Sequence, residues 1–502
     1  MTRRRQRAKR SANAIRQLPW SEVVNPYAAA EILSEDQLET IIQTALQVLE
    51  SQGMRFLDRG SRDTLRKAGA NVDEAANIVR FDAAMVREYL AHAPAEFDLR
   101  ARNPERDLRI GGNRILFASV GGPAFCSDLD KGRRPGTYAE LCDYLRVVQS
   151  LNIVHQEGGG AFEPMDLPVA TRHLDLYLAQ IRLLDKNCQA YALGRERTVD
   201  AIEMACITLG ADRTELARRP AVLAIINTNS PMQLDIPMTE AVIELAGANQ
   251  ACCITPFTLA GSMSPATLAG TLMQQTAEVL AVATFAQVVR PGAPIMYGSF
   301  ASNVDMRTGA PALGTPEYTK AAQASGQIAR RLGLPYRSSN TTVSNCVDSQ
   351  AAFESQMSLW GSVMGHANLV NHAAGWLEGG LTASFEKLIV DAEMLQMIAE
   401  YLRPIDVNDD ELAVDAIAEV GPGGHHFGTS HTLERYESAF YTPLLSNRQN
   451  FEAWQESGSQ DSAVRANVIW KKLLKESEQP PLDPAINDAL VEYVDKRKCD
   501  LH

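Results

Sequence analysis

His425, His426 and His431 crowd into one short glycine-rich segment, GPGGHHFGTSH, and three imidazoles invite a zinc reading. A zinc site needs three or four Cys, His or carboxylate ligands aimed at one point. Adjacent side chains such as His425 and His426 point apart in regular structure, although a glycine-rich loop relaxes that. Neither C-x-x-C nor H-E-x-x-H occurs in the chain. Cys252 and Cys253 are also adjacent, so at most one of them faces the inner side of a strand. The loop offers a different use as well, holding an anion on its backbone N–H groups. A second set of residues suits a different ligand. Tyr297, Phe300 and Trp376 bring aromatic faces to a cation that cannot donate hydrogen bonds, such as a methylated ammonium. Glu157 and Asp348 supply long-range attraction for that cation. Arg337 can pair with a carboxylate on the same molecule, and His372 adds a polar group beside Trp376. Each residue also has a plainer role open to it. Polar groups at strand ends hydrogen-bond loop backbone, and aromatic rings pack in cores. A Ser-His-Asp hydrolase lacks its G-x-S-x-G here.

These residues acquire meaning from the elements that carry them. Short apolar, β-branched or aromatic runs occur at 115–118, 152–155, 188–192, 222–226, 252–255, 295–297, 334–337 and 368–371. Their starts lie one strand plus one crossover helix apart. Helical patterns follow them at 138–149, 169–184, 199–209, 240–248, 268–289, 317–330, 350–364 and 384–401. Eight β-then-α units predict an α/β fold, a (β/α)8 TIM barrel with helical additions at both ends. An open doubly wound sheet is the structural competitor, but no G-x-G-x-x-G joins an early strand to its helix. In a barrel the chemistry lies at the carboxyl ends of the strands. There stand His155–Glu157 with three glycines, Asn227 to Gln233, Thr255 to Phe257, Tyr297 to Asp305, Arg337 to Asp348, and Asn371 to Glu378.

Ahead of the barrel, 1–110 reads as a mostly helical region. Ser34 and Gln37 form a capping box, and Leu38, Ile41, Ile42, Ala45 and Leu49 share one helix face. The catalytic barrel is expected over 111–440. A helical extension is expected over 441–502, with one helix around Trp470 and a last one after Pro481.

The chain has 502 residues with 48 Lys and Arg against 61 Asp and Glu, a formal charge of −13. Six of the basic residues fall in the first ten, so the remainder carries 42 against 61, or −19. That balance excludes a general nucleic-acid binder, and the basic tip reads as a solvated tail. No run of about 20 apolar residues exists, which predicts no membrane span. The stretch AEVLAVATFAQVV is shorter, carries Glu278, and reads as a buried helix. Eight cysteines without a tight spacing pattern do not make a disulfide scaffold, so a reducing, cytoplasmic setting is expected.

Several long segments carry a resemblance: LETIIQTALQVLESQGMRFLD, ARNPERDLRIGG, VDSQAAFESQMSLWGSVMGHANLVNHAAGWLEGGLTASFEKLIVDAEM and GPGGHHFGTSHTLERY. Over nearly its whole length the chain resembles the trimethylamine methyltransferase family, in the branch of pyrrolysine-lacking relatives that act on betaines. The resemblance implies a (β/α)8 barrel that moves a methyl group from a methylated amine to the cobalt of a separate corrinoid protein. In the family, pyrrolysine lies ahead of the DSQAA-like segment, here the region 338–347, which holds ordinary residues. The implied substrate is therefore a quaternary amine such as glycine betaine, proline betaine or carnitine, rather than trimethylamine. A quaternary nitrogen already carries the charge that lets it leave, so no zinc, general base or covalent protein intermediate is demanded. In this reading Glu157, Asp348 and His372 serve the reaction and Tyr297, Phe300, Arg337 and Trp376 hold the substrate. His425, His426 and His431 meet the corrinoid, or shape the mouth that admits it. The partner's own D-x-H-x-x-G cobalt-ligand signature is absent here, which implies transient docking. Self-association is expected on general grounds. The alternatives are a zinc-dependent methyltransferase or hydrolase on the same barrel, and a betaine-binding protein without catalysis.

Overall fold

The computed structural model describes residues 15–501, so the basic tip of the sequence lies outside the described residues. Eight parallel strands make up the barrel: β1 (Arg114–Ser119), β2 (Gln156–Glu157), β3 (Asn187–Ala190), β4 (Leu223–Ile226), β5 (Ala251–Ile254), β6 (Ile295–Gly298), β7 (Tyr336–Ser339) and β8 (Leu369–Ala374). They pair in sequence order, and β8 returns to β1 through Leu369 opposite Leu116 and Val370 opposite Phe117. The sheet is closed, and the open-sheet competitor is excluded. Each strand sits on or directly beside its sequence-predicted run. The second is displaced most, beginning just after 152–155.

The helices follow in order: α1 (Tyr138–Ser150), α2 (Arg172–Leu183), α3 (Arg195–Leu209), α4 (Ile236–Gly247), α5 (Leu268–Val289), α6 (Pro316–Arg331), α7 (Ser349–Met364) and α8 (Phe385–Tyr401). Strand alternation divides the core in two. Ile115 and Phe117 face the helices, whereas Leu116, Ala118, Leu223, Ala251, Cys253, Met296 and Leu369 fill the barrel interior. A hairpin of Phe97–Leu99 and Leu108–Ile110 joins that interior cluster and closes one end of it. Higher in the barrel the inward positions turn polar, with Gln189 on β3, Arg337 on β7 and Asn371 on β8.

Ahead of the barrel, helices Glu35–Ser51, Arg59–Lys67 and Ala83–Leu90 form as the periodicity predicts. The Ser34 capping box is present, and the five predicted face residues of the first helix are all buried. Short strands accompany these helices. Met54–Phe56 pairs with Ile78–Arg80 and with Gln233–Leu234, which ties this region to the loop after β4. Behind the barrel, helix Ser462–Glu476 packs on α8 and α1, where the Trp470 indole N–H donates to Glu386 at 2.9 Å. Helix Pro484–Asp500 packs on α2 and α3. Its Arg497 and Tyr493 both meet Asp200, a buried carboxylate that also contacts His173 at 2.9 Å. Among the described residues no helix is long and apolar enough to cross a membrane.

Helix α5 is buried nearly all round, and Glu278 sits fully buried in its middle. A charge there is tolerable only when donors surround it. The Glu278 carboxylate accepts from the Thr228 hydroxyl, from Ser230 Oγ at 2.7 Å, from Met232 N at 2.9 Å and from Gln274 Nε2 at 2.9 Å. Three of these donors belong to the loop after β4, so one carboxylate fixes that loop to the barrel wall. Glu278→Ala leaves those donors unpaired and should destabilise the protein by on the order of 3 kcal/mol. Glu278→Gln should lose less than half as much, as read by the thermal unfolding midpoint.

Candidate active site

One cavity, about 290 Å³, opens at the carboxyl ends of the strands. Phe300, Arg337, His372 and Trp376 line it together with Gln189, Asn371, Tyr191 and Phe257. Four of the residues that the sequence singles out therefore meet in one place.

Arg337 faces inward because it alternates with Tyr336, whose hydroxyl points outward and donates to Ala322 O at 2.7 Å. The residue is 1% exposed. Its Nη1 donates to Ser299 O at 3.1 Å, and its Nε has no partner. Among the described residues no carboxylate pairs with it, and burial pulls its pKa below the ordinary arginine value. Beside it, a chain of amides crosses the barrel. Gln189 Nε2 donates to Gln156 Oε1 at 3.1 Å and to Asn371 Oδ1 at 2.9 Å. Asn371 Nδ2 is left without a partner, although the residue is 1% exposed. Two buried donors, Arg337 Nε and Asn371 Nδ2, are thus unsatisfied in the lining of one cavity. Buried donors are rarely left so unless a ligand or water completes them.

The wall is aromatic. The His372 and Trp376 rings lie 4.6 Å apart, Phe300 and Trp376 6.0 Å, and Phe257 and Phe300 5.1 Å. The Trp376 indole is anchored by its N–H to Thr342 O at 3.1 Å. Gly380 packs so tightly on it that a Cβ there would stand 2.5 Å from the ring. His372 occupies the left-handed region at φ 52°, a conformation unusual for a side chain of its size. Its Nδ1 accepts from Gly121 N at 3.3 Å, which leaves the proton of a neutral ring on Nε2. Burial and the nearby Arg337 charge hold its pKa well below the ordinary histidine value, so the ring is neutral near pH 7.

Glu157 stands behind this wall. Its fully buried carboxylate accepts from Gly159 N and Gly160 N, each at 2.9 Å, and from the Gln180 amide. It thereby shapes the glycine loop whose Gly158 and Gly159 line the cavity. Burial raises its pKa to about 7 against the pull of those hydrogen bonds. The loop allows no side chain at Gly121, where a Cβ would fall 2.0 Å from Gly158 O.

The other sequence candidates lie elsewhere. Tyr297 is one residue out of phase with the inward-facing Met296. Its hydroxyl contacts Thr276 at 2.9 Å and Gln275 at 3.1 Å on α5. Asp348 caps α7, accepting from Ala351 N at 2.9 Å, and that backbone bond holds its pKa below the ordinary aspartate value. His425, His426 and His431 lie in the exposed segment after α8, and none of them lines the cavity. Among the described residues no three His, Cys, Asp or Glu side chains converge as metal ligands. Cys252 faces the helices and Cys253 the barrel interior, as alternation requires. Gln189 and Tyr191 were not legible as candidates from residue type alone. Their signal was position, just at the end of the third strand.

The family model for trimethylamine methyltransferase matches residues 1–502. The glycine betaine methyltransferase of Desulfitobacterium hafniense is 36% identical over 467 residues, covering 93% of this chain and 97% of that protein. A trimethylamine methyltransferase of Methanosarcina mazei is 27% identical over 487 residues, covering 93% and 94%. Among solved structures, the hydroxylamine complex of MtmB superposes with a TM-score of 0.53 at 10% identity over 91% of each chain. The Methanosarcina barkeri monomethylamine methyltransferase gives 0.52 at 10% identity, over 89% of this chain and 88% of that one. These two agree with the barrel and its additions. With a family match along its whole length and a relative sharing more than a third of its residues, the chain belongs to the trimethylamine methyltransferase family and is a methyltransferase.

Proposed function

We propose that this methyltransferase removes a methyl group from a betaine, a quaternary ammonium that also carries a carboxylate, and passes it to a separate corrinoid protein. The observation that carries the reading is Arg337: a buried guanidinium without a carboxylate partner, lining a cavity with an aromatic wall. A carboxylate beside Arg337 Nε and Asn371 Nδ2 would satisfy both orphaned donors with charge-assisted hydrogen bonds. The ammonium end would then lie against Phe300, Trp376 and the neutral His372. Aromatic faces attract such a cation, and it has no N–H that needs an acceptor. The 36% identical glycine betaine methyltransferase supports the same substrate class.

The open side of the cavity suits a bulky, flat acceptor. Gly122 is exposed and Gly121 and Gly379 are half-buried in its lining, and none of them has a side chain that would obstruct an approach. The reduced corrinoid supplies the nucleophile, which is the hard part of the chemistry. This chain's residues bind, align and exclude. Arg337 and Asn371 fix the carboxylate end, the aromatic wall fixes the ammonium, and the two together leave one methyl turned to the mouth. No protein group has to move a proton, because the departing nitrogen leaves as a neutral amine.

The direct test is methyl transfer to reduced corrinoid protein from glycine betaine, proline betaine, carnitine, trimethylamine and tetramethylammonium. A carboxylate-bearing quaternary amine should be the best donor. Transfer from trimethylamine alone would refute the reading. Arg337→Met should raise KM for the betaine by about 30-fold or more, the cost of leaving a carboxylate unpaired in a buried site. Tetramethylammonium turnover should be unaffected or improved by the same change. A pH test addresses the cavity wall. Glu157 holds its proton more tightly in the folded chain than in the unfolded one. Its contribution to stability therefore falls as pH rises from the ordinary glutamate range through about 7. Glu157→Gln removes that slope, so its thermal midpoint should gain on the wild type by several degrees between pH 5 and pH 8. Parallel profiles would mean that Glu157 does not titrate in this range.

A further inference from the structure

Four buried amides run from the foot of the barrel to the cavity, and their hydrogen bonds have a direction. Asn187 and Gln189 share the inward face of β3, and Gln156 of β2 stands opposite Asn187 in the sheet. Asn371 of β8 lies beyond Gln189. All four residues are buried, and of the four only Gln189 and Asn371 line the cavity.

The direction is set at the end farthest from the cavity. A side-chain amide has one end that donates and one that accepts, with nearly the same shape, so its partners decide which way it faces. Asn187 meets two backbone carbonyls, which can only accept. Its Nδ2 donates to Arg100 O at 2.7 Å and to Ala221 O at 2.9 Å, and both hydrogens are used. Asn187 Oδ1 therefore faces Gln156 and accepts from its Nε2 at 2.5 Å. That leaves Gln156 Oε1 as the acceptor for Gln189 Nε2. The second Gln189 hydrogen goes to Asn371 Oδ1, and Asn371 Nδ2 is the donor left over. Turning Gln189 over would set its Oε1 against Gln156 Oε1, two acceptors with no proton between them. Turning Asn371 over alone would set its Nδ2 against Gln189 Nε2, donor against donor. Such mismatches are most costly in a buried chain, where no water relieves them.

We propose that Asn187 and Gln156 are positioning residues that select for a carboxylate without touching it. They fix the chain so that Asn371 presents its Nδ2 hydrogens, and not its carbonyl oxygen, to the anionic end of the substrate. The inference rests on the betaine reading for the identity of that anion. With no acceptor at position 156, Gln189 is released to turn over and take an Asn371 hydrogen onto its own Oε1. Asn371 Oδ1 then becomes the free atom, and it repels a carboxylate placed beside it.

Gln156→Met removes the acceptor at similar side-chain volume. It should raise KM for glycine betaine by about 10-fold while kcat stays within about two-fold, the pattern of a lost contact made equally in ground and transition states. Tetramethylammonium has no carboxylate, so its inhibition constant should stay within about two-fold of the wild-type value. Gln156→Glu keeps an oxygen for Gln189 in either protonation state, so betaine KM should return to within about three-fold of the wild type. Asn187→Leu frees Gln156 to face either way and should shift betaine KM in the same direction by a smaller factor. Neutron diffraction from crystals exchanged into heavy water reads the polarity without any substrate. It should place the Asn371 nitrogen on the cavity side in the wild type and the oxygen there in Gln156→Met. Equal weakening of betaine and tetramethylammonium by Gln156→Met would mean a general loosening of the site and would overturn the proposal. So would an unchanged betaine KM, or an Asn371 oxygen on the cavity side of the wild type. A wild type that uses no betaine would sink the substrate reading instead, and the fixed polarity would then stand or fall on the two neutron maps.

Discussion

The pairing of Leu116 with Leu369 and of Phe117 with Val370 joins the last strand to the first, and this closure governs what every other strand residue can do. In a closed sheet of alternating side chains each residue has only two destinations, the barrel interior or the helix layer. One residue of displacement exchanges them. Arg337 is inward and Tyr336 outward for that reason, and Met296 displaces Tyr297 from the interior by the same rule. Along the axis the inward positions begin as Leu, Ala, Cys and Met and end as Gln, Arg and Asn. The apolar half stabilises the barrel, and the polar half is raised on it toward the mouth.

The loops at that mouth are held from behind by buried carboxylates. Glu278 on α5 binds the loop after β4, and Glu157 binds the glycine loop after β2. Asp391 on α8 accepts from Gly375 N at 2.9 Å, just ahead of Trp376, while the buried Lys387 balances its charge. Each anchor puts a charge where desolvation is costly, and each is tolerable because donors surround it. The result is a cavity wall whose backbone is fixed before any ligand arrives, which lowers the entropy cost of aligning a small substrate.

The architecture was legible because eight short strand runs at crossover spacing fit a closed barrel or an open α/β sheet and little else, and the helical pattern over 268–289 placed α5 end to end. Part of the site was legible for a related reason. Arg337 and His372 lie near the carboxyl ends of barrel strands, Phe300 and Trp376 just after them, and all four reach the cavity. What the sequence does not carry is phase. Tyr297 and Arg337 look equally eligible until the register assigns one to α5 and the other to the interior. Asp348 opens a helix, and the D-S-Q-A pattern is as good a cap as it is a ligand, which is how the chain uses it. The histidines at 425, 426 and 431 are close in sequence, but proximity in sequence does not bring them to the cavity. Gln189 and Asn371 have ordinary residue types. Their importance comes from meeting each other across the barrel, a contact between distant residues that no local pattern reports.

Arg337 also constrains the charge of the ligand. A bare cation in this cavity would face the guanidinium with no anion between them. Two like charges about 6 Å apart repel by roughly 3 kcal/mol at an effective dielectric of about 20, which cancels much of what an aromatic wall can return. A zwitterion avoids the conflict. Its carboxylate meets the guanidinium, its ammonium is held off by the length of the molecule, and the pair of charges it brings sums to zero. Because His372 is kept neutral by burial and by the same arginine, it adds no further positive charge to the wall. Glu157, whose carboxyl burial pushes up to about 7, stands behind the glycine loop and carries no positive charge in either state, so it adds nothing that opposes a buried ammonium. One unpaired guanidinium thus favours a carboxylate-bearing ammonium over a simple methylamine, and it does so without touching the nitrogen from which the methyl group leaves.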